Sequence, residues 1–129
     1  SWLTESALIA ATKVIVAVTA EFYSVKGLER LSEFIRTVGE RHPLDILGVI
    51  LSFWNPRSKN NDAFLKVIEQ TFPDSCFESR IRKDVSVSEA AIHGKPLFEV
   101  PRLSKSSRAA EDFQKLAHEV HQKLSKKRG

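Results

Sequence analysis

The sequence lacks several features that would point to particular classes of protein. It has no methionine and a single cysteine, Cys76, among its 129 residues. One cysteine excludes an internal disulfide and fits a reducing compartment such as the cytosol. No apolar run reaches the roughly 18 residues that a membrane span requires, because Lys13 interrupts the stretch from Ala7 to Val18. The short apolar runs therefore predict no membrane segment. The four histidines have no cysteine or carboxylate at metal-ligand spacing, so we also expect no zinc site.

The charge balance is mildly basic, with 20 Lys and Arg against 16 Asp and Glu. An excess of this size permits nucleic-acid binding without indicating it. Between Ser79 and Arg108, seven basic residues stand against three acidic ones, and their excess of four equals that of the whole chain. Two interpretations of this basic segment stay open. It is either a solvated surface or a nucleic-acid contact.

Apolar runs that are typical of buried strands alternate with segments of helical periodicity. A capping box, Ser86-x-x-Glu89, predicts a further short helix that ends at Gly94, and Pro96 prevents its continuation. Residues 97–107 read as a loop before a long final helix. The predicted strands are 13–18, 46–53 and 76–81, and the other predicted helices are 4–11, 24–41, 60–72 and 107–126.

This alternation predicts an α/β fold, in which a parallel sheet is flanked by helices and connected by right-handed crossovers. The three predicted strands are almost continuously apolar, so we expect them to be covered on both faces. Three strands make a thin sheet for such a pattern. We therefore expect residues 1–129 to be the C-terminal part of a larger domain. The chain should be stable only beside its N-terminal half or in a self-associated form.

Several short motifs, in order along the chain, resemble the ParA/Soj family of deviant-Walker ATPases, which partition plasmids and chromosomes and are relatives of MinD. The resemblance implies a P-loop NTPase-like fold and covers the C-terminal half of the family's domain. The motifs are Leu3-Thr-x-x-Ala7-Leu8, Val14-Ile-Val, Glu21-Phe-Tyr-Ser-Val-x-Gly27-Leu28, Gly48 to Arg57, Ile81 to Pro96 with Ser88-Glu-Ala and His93-Gly-Lys-Pro, and Ser107-Arg-Ala-Ala-x-x-Phe-x-x-Leu-Ala-x-Glu119-Val120.

The phosphate-binding loop of that family has no counterpart in this sequence. The family's loop is a glycine-rich turn with two lysines, whereas this chain contains neither Gly-Lys-Thr nor Gly-Lys-Ser. Cradling a triphosphate requires convergent backbone N–H groups, a lysine and a metal ion. The resemblance therefore implies ATP with magnesium for the complete protein, but no cofactor and no catalytic residue for this chain alone.

The resemblance also implies where an adenine base would lie. In the family, the loop after the third of these strands packs its backbone against the adenine ring. The end of the preceding strand adds two aromatic residues that could stack on the base, although core packing is an equally good explanation for them. Arg82 stands where the family has proline, and Asp84 where it has asparagine. The implied adenine-binding residues are Phe53, Trp54, Arg82, Lys83, Asp84 and Val85.

Sandwich dimers of the family bind DNA without sequence preference, and a ParB-like adaptor acts on them. Arg57 falls on one basic position used for DNA, whereas Ser86 falls on a second position where relatives carry arginine. The resemblance thus implies a homodimer, non-specific DNA and a ParB-like protein as partners, in a cytoplasmic, nucleoid-associated protein. The implied DNA-binding residues are Arg57, Arg80, Arg82, Lys83, Lys95 and Arg102, with Lys105 and Arg108 as further basic candidates.

Two functional hypotheses from different classes remain open at this stage. In the first, the chain is part of a partition ATPase in which ATP closes a homodimer on DNA and the adaptor triggers hydrolysis. In the second, it is a non-catalytic truncated paralogue that binds DNA or caps full-length partners. A receiver domain is a weaker third alternative, because receivers need clustered acids and a lysine at strand ends, where this chain has Thr19, Trp54 and Arg82.

We predict that the purified 129-residue chain does not hydrolyse ATP, because it has no loop to cradle the phosphates. Steady-state phosphate release from the chain, with added magnesium and DNA, should equal that of a buffer blank. Turnover that persists after contaminating ATPases have been removed would contradict this.

Overall fold

The computed structural model describes residues 2–21 and 24–128, and these residues form an α/β fold as predicted. Of the family-like motif that begins at Glu21, Phe22 and Tyr23 lie outside the described residues. The elements in chain order are α1 (Trp2–Ala10), β1 (Lys13–Thr19), α2 (Val25–Arg41), β2 (Asp45–Trp54), α3 (Asn61–Thr71), β3 (Cys76–Arg82), α4 (Val85–Ile92), a 3₁₀ turn (Leu97–Glu99), α5 (Pro101–Ser104) and α6 (Arg108–Arg128).

The three strands form one parallel sheet in the order β1-β2-β3. The register places Val16 of β1 opposite Val49 of β2, and Leu51 of β2 opposite Arg80 of β3. All three predicted strands are confirmed, each within one residue at its ends. In a parallel sheet the carboxyl ends of the strands share one edge, so the loops after β2 and β3 lie side by side.

Helices α2 and α3 cover one face of the sheet. Ser24 caps α2, since its side chain accepts a hydrogen bond from the Gly27 N–H at 3.0 Å. The predicted stripes on both helices form the core, together with alternate residues of β1 and β2. The buried residues of this cluster are Val16, Val18, Leu28, Ile35, Val49, Leu51, Trp54, Ile68 and Phe72.

The long helix α6 covers the opposite face, but only over β2 and β3. Its Leu116, Val120 and Leu124 pack on a cluster that includes Phe77 and Ile81 of β3. Beyond α6, none of the described residues covers the same face over β1, where Ile15 is 44% exposed. The expectation that every strand is covered on both faces is therefore wrong for β1. A continuous apolar run records that a strand can be buried, but it does not record which neighbour buries it.

The outer edge of β1 is also open in the part of the chain that the structure describes, because β1 pairs with β2 and with no other strand there. Helix α1 precedes this strand and has no buried residue, and its Leu3 is 65% exposed. This helix therefore contributes no buried side chain to the core. None of the described helices is both long and apolar enough to cross a membrane.

Two local predictions need correction. The capping box at Ser86 and Glu89 is wrong, because Asp84 is the cap of α4 and accepts a hydrogen bond from the Ser86 N–H at 2.9 Å. An aspartate two residues earlier competes for the same free N–H groups, and its carboxylate is the stronger acceptor. The predicted loop at 97–107 is also partly wrong, since it contains the 3₁₀ turn and α5. Pro101 begins α5 in the first turn, where proline is tolerated.

A glycine in β2 determines how closely the sheet is packed under α6. Gly48 lies beneath the buried ring of Phe77, and a Cβ added at Gly48 would come within 2.5 Å of that ring. Lys123 of α6 also contacts this ring, with its Nζ 4.2 Å from the centroid and 3.4 Å from the Leu47 carbonyl oxygen. Only glycine leaves room for the ring between the strand and the helix.

We predict that Gly48→Ala destabilises the complete protein by about 1–3 kcal/mol, because the ring and α6 must shift to admit one methyl group. Urea unfolding measures the change. Gly39→Ala is the matched control, since the nearest atom to its added Cβ is 4.0 Å away and it lies within α2. The control should be neutral or stabilise the helix by up to about 1 kcal/mol. Equal effects of the two substitutions would contradict the packing argument.

Candidate functional site

The loops that follow β2 and β3 are joined at the carboxyl edge of the sheet. The backbone N–H of Lys83 donates a hydrogen bond to the Trp54 carbonyl oxygen at 3.0 Å. Asn55 then shapes the loop after β2, because its Oδ1 accepts from the Arg57 N–H at 3.0 Å and its carbonyl accepts from the Asn61 side chain at 2.8 Å. The two loops form one surface, and ligands in open α/β sheets bind at this edge.

Helix α6 holds β3 in place through a carboxylate, which accepts hydrogen bonds from backbone N–H groups that would otherwise pair with a neighbouring strand. Glu119 accepts hydrogen bonds from the backbone N–H groups of Glu78 and Ser79, each at 2.9 Å, and from the Ser79 hydroxyl at 2.7 Å. The strand is irregular here, since two steps along β2, from Val49 to Leu51, match four steps along β3, from Cys76 to Arg80. This irregularity lets two consecutive N–H groups reach one carboxylate.

The hydrogen bonds to Glu119 also change its acidity. Burial alone raises the pKa of the Glu119 carboxyl, but the hydrogen bonds from Ser79 and from the Glu78 N–H outweigh it. The net effect lowers the pKa below its ordinary value, so the carboxylate is the stable form in the folded protein.

A second carboxylate of α6 engages the end of β3. Asp112 is buried and accepts from the Arg82 backbone N–H at 2.9 Å and from the Arg82 guanidinium at 2.9 and 3.0 Å. Glu111 adds a longer ion pair at 3.6 Å. The hydrogen bond to Asp112 is the main cause that raises the pKa of the Arg82 guanidinium. The sequence predicts that Arg82 contacts both adenine and DNA. In this structure its guanidinium instead binds the Asp112 carboxylate of α6.

Asp84 joins the beginnings of two helices. One of its oxygens caps α4, and the other accepts from the Ser107 hydroxyl at 2.7 Å and from the Ala109 N–H at 3.1 Å, at the start of α6. Ser107 in turn accepts from the Ala110 N–H and so caps α6. Burial raises the pKa of the Asp84 carboxyl, but hydrogen bonds from Ser107, Ser86 and Ala109 outweigh it and hold that pKa far below its usual range.

The predicted adenine-binding residues separate into exposed and engaged groups. Phe53 is 57% exposed and has a backbone φ of +50°, a strained value for an aromatic residue. Trp54 is buried in the core instead, with the Arg80 guanidinium 4.6 Å from its ring centroid. Lys83 and Val85 are exposed, while both carboxylate oxygens of Asp84 already accept hydrogen bonds. A base at this edge would meet Phe53 and the loop at residues 83–85.

The predicted DNA-binding residues separate in the same way. Arg57, Lys83 and Lys95 are exposed and have no ion pair among the described residues. Arg102 is exposed but pairs with Glu89 at 3.1 Å. Arg80 lies on Trp54. The last of the six predicted residues is Arg82, which pairs with Asp112, and the further candidates Lys105 and Arg108 are exposed near the start of α6.

No sequence pattern described above assigns a role to Asp112, which is buried. It occupies a position on α6 seven residues before Glu119, so the two acids lie on nearly the same side of the helix as the apolar stripe. Acidic residues in a core-facing stripe are the signal that could have identified this contact. Among the described residues there is also no group of three or more His, Cys, Asp or Glu side chains that could hold a metal ion.

The sequence is similar to ParA and Soj proteins, although no protein-family model matches it. It is 58% identical over 119 residues to a ParA family protein of Chlamydia trachomatis serovar D, an alignment that covers 92% of this chain and 46% of that protein. It is 33% identical over 120 residues to the sporulation initiation inhibitor protein Soj of Bacillus subtilis (92% and 46%) and 34% identical over 120 residues to the chromosome partitioning protein ParA of Caulobacter vibrioides (92% and 44%). The chain spans about half the length of the curated relatives it matches.

We predict that Asp84→Asn destabilises the complete protein by about 1–3 kcal/mol at pH 7, because the amide would set N–H donors against the Ala109 N–H. The folded pKa of Asp84 is lowered, so its contribution is full above the unfolded pKa of about 4 and is lost as the pH falls below that value. The difference between variant and parent should therefore shrink in urea unfolding as the pH is lowered from 5 towards 3.

The matched control is Asp74→Asn, which removes an exposed carboxylate in the turn before β3. It should change stability by less than about 0.5 kcal/mol at either pH. An Asp84→Asn variant that is as stable as the parent at pH 7 would show that this carboxylate does not hold α4 and α6 together.

Proposed function

Because the chain belongs to the ParA/Soj family of partition proteins, we propose that it forms the adenine-facing and DNA-facing half of an ATPase that partitions a plasmid or chromosome. Residues 1–129 would be the C-terminal part of that ATPase domain. The half that carries the phosphate loop would supply ATP and magnesium binding. In this proposal ATP closes a homodimer, the dimer binds DNA without sequence preference, and a ParB-like adaptor stimulates hydrolysis and release at the nucleoid.

The observation that carries the proposal is the joined surface at the carboxyl edge of the sheet. The hydrogen bond between Lys83 and Trp54 places the loops after β2 and β3 together, so a ligand can contact both. Phe53 at this edge is exposed and strained, and strained residues concentrate at ligand sites. The ring of Phe53 can stack on a base, while the exposed backbone after β3 can hydrogen-bond to its edge.

The DNA contact is proposed for the basic residues around the same edge. Arg57, Lys83 and Lys95 carry the proposal, because each is exposed and no described acid neutralises it. Such side chains can contact phosphates without reading bases, which gives affinity without sequence preference. Arg82 and Arg102 would contribute less, because each would first have to release a carboxylate partner.

The open side of β1 supports the remaining part of the proposal. The bare face at Ile15 and the unpaired outer edge are suited to receive the strands of the N-terminal half. Strands added there would extend the sheet away from α6 and leave the carboxyl edge of β2 and β3 accessible. The nucleotide and DNA surfaces would then be continuous across the two halves.

We predict that Arg57→Ala in the complete protein, with ATP present, weakens binding to duplex DNA of any sequence. The slope of log affinity against log salt should fall by about 0.9, the value for one lost phosphate contact. Fluorescence anisotropy with a labelled duplex at several salt concentrations measures both quantities.

Arg36→Ala is the matched control for charge, because Arg36 is also an exposed arginine but lies at the opposite end of the sheet, in a cavity with Leu44 and Asp45. Its affinity and salt slope should match those of the parent. The DNA-contact proposal is wrong if Arg57→Ala and Arg36→Ala give the same slope, or if binding does not depend on salt.

A further inference from the structure

A cavity of about 450 Å³ lies between the loop after β2 and the first turn of α3. Arg80 lines one side of the cavity, and its guanidinium carbon lies over the ring of Trp54, 4.6 Å from the centroid. The loop supplies Ser58 and Lys59, and the first turn of α3 supplies Asp62. The full lining is Trp54, Pro56, Ser58, Lys59, Asn61, Asp62, Leu65 and Arg80.

Arg80 lies over Trp54 and has no ion pair among the described residues. The contact with Trp54 holds the guanidinium over the ring, and its Nε, which is buried, has no hydrogen-bond acceptor among the described residues. Arg82, two residues further along β3, shows the opposite arrangement, because Asp112 accepts hydrogen bonds from it at 2.9 and 3.0 Å.

The charges around the cavity favour an anion. Lys59 and Arg80 face a single acid, Asp62, so the lining carries a net positive charge. Ser58 adds a hydroxyl donor. An oxyanion with several oxygens would supply the acceptors that a planar guanidinium and an ammonium require, and phosphate is the group that such pairs bind best.

We propose that this cavity binds one phosphate of the DNA backbone, with Arg80 as the preoriented donor and Lys59 as the second cation. The inference rests on the proposed DNA binding and assigns a specific pocket to it. Pro56, Ser58 and Lys59 belong to the same loop as Arg57, so a duplex that contacts Arg57 passes over the cavity. A backbone phosphate fits the argument better than an acidic side chain of a partner, because neighbouring phosphates can occupy Arg57 and the cavity together.

The test uses the complete protein with ATP and a labelled duplex, with affinity measured across a range of salt concentrations. Arg80→Gln should weaken binding about tenfold, the loss expected for one charge-assisted hydrogen bond. It should also lower the salt slope by about 0.9. Lys59→Gln should lower the slope similarly, and since Lys59 is exposed, its substitution leaves the core intact.

Asp62→Asn should change the affinity for DNA in the opposite direction. Removing the one acid among the described lining residues should tighten DNA binding, whereas general damage to the fold would weaken it. Asp62 lies in the first turn of α3, where a carboxylate stabilises the helix, so this variant should bind more tightly although it is slightly less stable. Melting temperatures of all variants, measured beside the binding curves, separate the two effects.

The outcomes distinguish this inference from the broader proposal. Weaker binding by Arg80→Gln and Lys59→Gln, with tighter binding by Asp62→Asn, supports the phosphate pocket. Parent-like affinity and slope for Arg80→Gln, while Arg57→Ala loses affinity, overturns the pocket and leaves the proposed function intact. A change in adaptor binding instead of DNA binding also overturns it, in favour of an acidic protein partner. If neither Arg57→Ala nor Arg80→Gln alters DNA binding, both proposals are wrong.

Discussion

The contact on which this structure depends is the hydrogen bonding of β3 by the carboxylates of α6. A strand at the edge of a sheet leaves a row of backbone N–H groups without partners. Here Glu119 accepts two of them and Asp112 a third, at 2.9 Å each. Both acids lie in the same helix whose apolar side packs on Phe77 and Ile81. One helix thus satisfies the polar edge of β3 and buries its apolar side chains.

This contact determines which of the basic residues in β3 is paired with a carboxylate. Asp112 holds the Arg82 guanidinium against α6, whereas Arg80 lies against Trp54, and its Nε has no hydrogen-bond partner among the described residues. Asp84, in the loop after β3, joins the starts of α4 and α6. Two arginines of one strand therefore have different surroundings, since Arg82 pairs with a carboxylate and Arg80 lies against an aromatic ring without an ion pair among the described residues.

The two edges of the sheet differ in whether another element covers them. The β3 edge is closed by α6, whereas within the described residues the β1 edge has no partner and its Ile15 face is bare. Closing one edge and leaving the other open directs any extension of the sheet to β1. For a chain that spans about half the length of its relatives, this makes β1 the side at which the proposed N-terminal half would join.

The sequence alone determined the elements and their order, because the apolar runs of 46–53 and 76–81 and the helical stripes are local patterns that burial imposes. The ordered motifs from Gly48 to Val120 likewise identified the family. The tertiary structure decided which partner each polar residue has. Asp84 rather than Ser86 caps α4, Arg82 pairs with Asp112 across 30 residues, and Trp54 enters the core beneath Arg80. Such pairings depend on residues that are far apart in the chain, and no local periodicity records them.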